Sequence, residues 1–195
     1  MNIAEIFGFI GGGVGIFFGI PQVLRIRREG HSNGINVIAW ILLFCVSTSW
    51  SAYGFSISAP SVFLTNTGGA LVNGSVVYAL LNNRAKSIPL ISALVLCIWA
   101  AILLLPPAVV STILVIFVFA QAPQIRDSFR SYRSKTPTVV SLPSMRVASF
   151  SMTCWGIYAV LADVPLILYT TYIALSINLT IQALEMLNRR QIARA

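Results

Sequence analysis

"TSWSAYGFSISAPSVFLTNTGG", residues 48–69, has an echo 105 residues further on in "TCWGIYAVLADVPLILYTTYIA", residues 153–174. Trp50 aligns with Trp155, Tyr53 with Tyr158 and Pro60 with Pro165; beyond the quoted stretch, Asn73 aligns with Asn178. Each copy holds an apolar run, a short turn ending in proline and a second apolar run. Self-similarity at a fixed offset marks a duplicated structural unit. Pro21-Gln22 and Pro123-Gln124 extend both copies toward the N-terminus, at an offset of 102 because the second basic connection is three residues longer.

Composition fixes the solvent of this unit. Only 9% of the 195 residues are charged and 57% are hydrophobic, with a mean hydropathy of +0.84. A water-facing domain carries about 25% charged residues, so lipid is the surrounding that fits. About 20 apolar residues span the hydrocarbon core as a helix. Seven such runs lie near Ile3–Leu24, Ile35–Ser56, Ser61–Leu81, Ile88–Leu105, Ala108–Gln124, Val139–Leu161 and Pro165–Leu187. Pro106-Pro107 separates the fourth from the fifth, since proline ends one helix and starts the next. Glu5 and the lack of a basic leader argue against a cleavable signal, so the first run is expected to remain as a span.

The basic residues give a direction. Twelve lie in alternate connections and the tail: Arg25, Arg27 and Arg28; Arg84 and Lys86; Arg126, Arg130, Arg133 and Lys135; Arg189, Arg190 and Arg194. The connections "SISAPS", "LPPA" and "LADVP" hold none. The positive-inside rule then predicts an outside N-terminus and a cytoplasmic C-terminus, in a plasma or inner membrane. The net charge of +8 follows from these clusters and does not form the single solvated basic face of a nucleic-acid reader.

Spans one to three therefore repeat as five to seven, and the fourth has no counterpart. The predicted fold is an all-α membrane protein of seven transmembrane helices, two parallel three-helix bundles joined by a linker helix. The expected units are residues 1–87, 88–107 and 108–195. One linking span makes the triplets run in the same direction, as in transporters with parallel repeats.

Polar residues inside spans are costly and mark solute paths or helix contacts. Trp50, Asn66 and Ser47 in the first triplet, with Trp155 and Thr171 in the second, suit a neutral hydroxyl-rich solute: indoles offer flat apolar faces and amides offer directed hydrogen bonds. Asn73 and Asn178 fit the same site, or serve as interhelical glue. Their glycosylation-like patterns fall inside spans. Gly11, Gly15 and Gly19 share one face of the first span, which allows close helix packing. Pro21 with Gln22 and Pro123 with Gln124 are candidate hinges, because proline removes a helix hydrogen bond and the glutamine amide is a substitute partner. Arg146 is a candidate contact for an anionic solute, or snorkels to the surface. No carboxylate lies deep in a span, and His31, the single histidine, lies in the first basic connection; both favour a passive uniporter over a proton-driven carrier. Cys45, Cys97 and Cys154 suggest packing residues, with no disulfide framework and no metal site. No cofactor or catalytic constellation is expected.

The pattern resembles the PQ-loop superfamily and, within it, the SWEET sugar transporters. The likeness runs over nearly the whole chain, from Pro-Gln and the basic connection through "WSAYG" to the later asparagine, the linker and the second triplet. It implies that Trp50, Asn66 and, by symmetry, Trp155 line a midplane sugar site, and that Pro21, Pro123 and Pro143 act at gates. Thr171 stands where the family's second asparagine is expected, and Ile38 stands where the first repeat would match Pro143. The reading reached is facilitated transport of a mono- or disaccharide within the bilayer, with homo-oligomers allowed. Its rivals are an amino-acid or cofactor transporter and a non-transporting receptor of the same fold.

Overall fold

Prolines set where several helices begin. In a computed structural model, which describes residues 2–29, 37–81, 84–119, 122–138 and 140–193 and not the side chains of 18–29 and 84, Pro60, Pro107 and Pro165 each occupy the first helical residue. The fixed φ of proline suits that position and its missing N–H costs nothing there. The helices are α1 (Ile3–Glu29), α2 (Val37–Ser56), α3 (Pro60–Leu80), α4 (Arg84–Leu104), α5 (Pro107–Val118), α6 (Ala122–Ser134), α7 (Leu142–Leu161) and α8 (Pro165–Ile192). Among the described residues there is no strand. A candidate membrane span of 28 residues covers 107–134, taking in α5 and α6 together, and on that count the helices make seven spans.

The duplication extends to backbone detail. The α2–α3 turn passes through Ser58 at φ 53° and the α7–α8 turn through Asp163 at φ 51°. Each is closed by the same bond, Ala59 N–H to Gly54 O at 2.9 Å and Val164 N–H to Ala159 O at 3.0 Å. These turns lie at the N-terminal end of the bundle. The opposite end carries α6, the α6–α7 connection and the end of α8, and is the basic end.

α3 packs between α1 and α2, and α8 packs against α7 on one side and α5 and α6 on the other. α4 lies against α2 and α3. The two triplets meet along α1 and α7, and more thinly along α2 and α5. The chain is thus an all-α membrane protein of two parallel three-helix bundles with α4 as the linker. Four helical stretches are long and apolar enough to cross a membrane, and Leu104, Phe17, Leu71 and Leu96 are 70–81% exposed on the outside. Lipid, not water, is the medium such side chains tolerate in number.

Several boundaries differ from the sequence expectation. Arg126, Asp127, Arg130 and Arg133 belong to helix α6 and not to a loop. The reason is a polar packing face: Ser128 is buried and donates to Glu185 of α8 at 2.7 Å. α8 likewise runs on to Ile192. α1 continues past Leu24 to Glu29. α4 begins at Arg84 and holds Pro89 inside it. α7 begins at Leu142, behind Ser141, whose hydroxyl accepts from Ser144 N–H; Val139 lies outside the described residues, as do Ile35 and His31.

Candidate functional site

A cavity of about 200 Å³ lies between the triplets. It is lined by Val46 and Trp50 of α2, Val62 and Asn66 of α3, Phe117 and Val118 of α5, Met152 and Trp155 of α7, and Ile167, Thr170, Thr171 and Ala174 of α8. Trp50 and Trp155, Val62 and Ile167, and Asn66 and Thr171 are repeat mates, so the cavity follows the internal symmetry.

The unused polar groups on its wall define what it can bind. Asn66 spends its amide N–H on Val62 O, 2.8 Å away on its own helix, which leaves Oδ1 as an acceptor. Thr170 spends its hydroxyl on Leu166 O at 2.7 Å. The Thr171 hydroxyl and both indole N–H groups bond to no described residue. One amide oxygen, one hydroxyl and two N–H donors thus stand among apolar side chains. A ligand with hydroxyls on its edge and C–H on its faces meets both kinds of surface.

Toward the N-terminal end the cavity is closed by a packed layer. Each tryptophan holds the tyrosine one turn on: Trp50 and Tyr53 lie edge-to-face at 5.7 Å, Trp155 and Tyr158 at 5.4 Å. Ala4, Ala59, Val62, Tyr158, Ala159 and Ile167 form a buried cluster there, with Phe7 against it. Outside this layer is a groove of about 420 Å³ lined in part by Glu5, Tyr53, Tyr158 and Asp163. Glu5 reaches from α1 to accept from Ser61 N–H, at the start of α3, at 2.7 Å. A carboxylate at a helix N-terminus satisfies an otherwise unpaired donor and the helix dipole. Nothing in the local sequence around Glu5 signals that long-range cap.

Other expected site residues lie elsewhere. Asn73 donates to Ser47 Oγ at 3.0 Å and to Leu43 O at 3.3 Å, joining α3 to α2. Its mate Asn178 donates to Met145 O at 3.3 Å, joining α8 to α7, and Gln182 adds a bond to Ser149 Oγ at 2.7 Å. Asn73, Asn178 and Ser47 do not line the cavity; their polar groups are engaged within each triplet. Arg146 is exposed on α7 and is not part of the lining.

The prolines also differ from one another. The α1 helix runs through Pro21 without stopping, while the side chains of Pro21, Gln22 and Gly19 lie outside the described residues. Pro123 is the second residue of α6, and Gln124 after it is exposed. Pro143 is the second residue of α7, a first-turn position where proline breaks no helix bond. Pro123 holds the same position in α6, so the kink mechanism applies to neither Pro123 nor Pro143.

Among the described residues no group of three or more His, Cys, Asp or Glu side chains could hold a metal ion. Glu185 of α8 is a buried acid, against the expectation that no carboxylate lies deep in a span. It is 1% exposed, accepts from Ser128, and is bonded by the Thr138 hydroxyl.

No family model matches the chain. No curated protein matches it either. Among solved structures it is similar to a eukaryotic SWEET transporter, with a TM-score of 0.73 over 97% of this chain and 100% of that one, at 14% identity. At that identity the likeness is one of fold, and the fold is one that a membrane transporter uses.

Proposed function

We propose that the chain carries a small neutral solute, of the size of a single sugar ring, across the membrane by alternating access without ion coupling. The observation that carries this reading is the cavity between the triplets, with two tryptophans as repeat mates and four polar groups that have no partner among the described residues. Its volume of about 200 Å³ is below the roughly 300–1,000 Å³ of sites for drug-sized ligands, which favours a monosaccharide over a disaccharide. In this reading Trp50 and Trp155 stack on the C–H faces of the ring, while Asn66 Oδ1 and Thr171 Oγ1 take its hydroxyls. Residues 1–87 and 108–195 move as the two units about the linker 88–107, with Pro21 as a hinge. The basic end faces the cytoplasm.

Counterflow of labelled mono- and disaccharides in proteoliposomes tests it. Monosaccharide exchange is expected, with at least a tenfold loss in Trp50→Ala. Absence of any sugar exchange, together with an unchanged flux of another solute in Trp50→Ala, defeats the sugar reading. Flux that tracks an imposed pH gradient defeats the uniport part alone.

A further inference from the structure

The basic end of the second triplet carries charge for which a solute path has no use. Arg126, Arg130 and Arg133 are exposed along α6, Lys135 follows it, and Arg189 and Arg190 are exposed near the end of the neighbouring α8. None of the six forms an ion pair with a described residue. Asp127 is the one acid on α6. The acid that α8 could offer, Glu185, is turned inward and held by the Ser128 and Thr138 hydroxyls. The outer surface of this helix pair is therefore left with an uncompensated positive charge.

Position and shape say what meets that charge. The candidate span over 107–134 opens on the apolar α5 and ends on α6, whose charged residues run from Arg126 to Arg133. Charged side chains are costly in the hydrocarbon core, so the charged part of α6 lies at headgroup depth. There Phe129, 48% exposed, stands among Arg126, Arg130 and Arg133, three or four residues from each of the outer two and next to the middle one, on one helix face. Basic residues interleaved with an exposed aromatic on a helix lying at the interface are the pattern that binds acidic lipid surfaces. Membrane orientation alone requires basic residues near the span end. It requires neither an exposed phenylalanine among them nor an acid withdrawn into the protein.

We infer that the outer face of α6, with the end of α8, is a binding surface for anionic phospholipid headgroups. The guanidinium forks of Arg130 and Arg133 take phosphate oxygens in pairs, and the Phe129 ring enters the layer just beneath. Bound lipid spans α6 and α8 and reinforces the Ser128–Glu185 contact on the other side of the same helix. This inference stands independently of which solute the cavity takes.

The full-length chain in neutral detergent, titrated with short-chain phosphatidylglycerol or phosphatidylcholine, tests it. Lipid retained in native mass spectrometry and the thermal midpoint are the readouts. Phosphatidylglycerol is expected to bind and raise the midpoint, and phosphatidylcholine is not. Each neutralised arginine should weaken binding about fivefold, so Arg130→Gln with Arg133→Gln should cost roughly 30-fold. The corresponding double lysine variant should keep most of the binding, and Phe129→Ser should weaken it with charge intact. The inference is overturned if the double glutamine variant keeps its phosphatidylglycerol preference, or if Lys86→Gln on the distant α4 costs as much. Equal stabilisation by inorganic phosphate or glycerol phosphate also overturns it, leaving a plain anion site.

Discussion

α1 and α5 are the same helix of the repeat, yet they meet their neighbours in opposite ways. At the offset of the Pro-Gln pairs, Gly8, Gly11, Gly12 and Gly15 of α1 correspond to Val110, Ile113, Leu114 and Phe117 of α5. Gly8 and Gly12 let α1 approach α3: a Cβ at either would strike the side chain of Ser61 or Thr65. Gly11 lets it approach α7, where a Cβ would lie 3.0 Å from Ser151 O. Close backbone contact through small residues is how membrane helices gain dispersion energy without a hydrophobic drive. α5 instead touches its neighbours through side-chain tips. Val110 and Leu114 are buried against Ala52 of α2 and Ile102 of α4, and Phe117 lines the cavity. The α1–α7 seam between the triplets is therefore tight and the α2–α5 seam is loose. A symmetric chain duplication has produced an asymmetric pair of seams, one suited to a pivot and the other to opening.

The largest expected effect comes from filling the tight seam. Gly11→Leu drives a side chain into α7, where a Cβ alone would lie 3.0 Å from Ser151 O and 3.1 Å from Cys154 Cβ, and overpacking of this kind costs about 1–3 kcal/mol or more. It should lower the thermal midpoint and the yield of monodisperse protein. Gly13→Leu, two residues on, has nothing within 4 Å of its Cβ and should leave both unchanged. Equal damage from the two would show that α1 glycines matter for the helix itself and not for the seam.

Cross-linking asks the same question of motion. In a background with Cys45, Cys97 and Cys154 replaced by serine, Ala52→Cys with Leu114→Cys would bridge α2 to α5 outside the cavity. Gly15→Cys with Ser151→Cys would bridge α1 to α7, where a Gly15 Cβ stands 3.9 Å from Ser151 Oγ. The first bridge should cut flux at least tenfold, about 1.4 kcal/mol on the barrier, and reduction should restore it. The second should change flux less than twofold. The opposite pattern would move the pivot to α2–α5.

How much of this was open to a reader of the sequence depends on range. The repeat, the seven spans and the pairing of Trp50 with Asn66 rest on local hydropathy and on residues sixteen apart in one hairpin, so they were legible. Thr171 could be placed beside them through the offset. The roles of Asn73 and Asn178 were not separable from sequence, because an amide in a span reads alike whether it meets a solute or a carbonyl on the next helix. The extension of α6 was missed because its apolar run stops near Gln124; the helix continues on a polar contact, Ser128 with Glu185, made across 57 residues. The Glu5 cap on Ser61, across 56 residues, was hidden for the same reason. The glycines gave a face at four-residue spacing, but a second face, Gly8 with Gly12, emerges only once α3 is known to lie beside α1.

The smallest effect separates packing from hydrogen bonding in the tight seam. Ser151 Oγ donates to Gly11 O at 2.7 Å, a side-chain bond that joins α1 to α7 directly. Gly11 O also lies within the α1 ladder, so removing the hydroxyl leaves no carbonyl orphaned, and the full penalty for an unsatisfied buried group does not arise. Ser151→Ala should therefore cost only about 0.5–1 kcal/mol and shift the thermal midpoint by a few degrees at most. If glycine packing makes the seam, Ser151→Ala and Gly11→Leu should differ severalfold in cost. A loss in Ser151→Ala as large as that in Gly11→Leu would mean that the seam is held by this bond, and the contrast between α1 and α5 would then reduce to one hydroxyl, since the residue at the matching position of α2 is Val46.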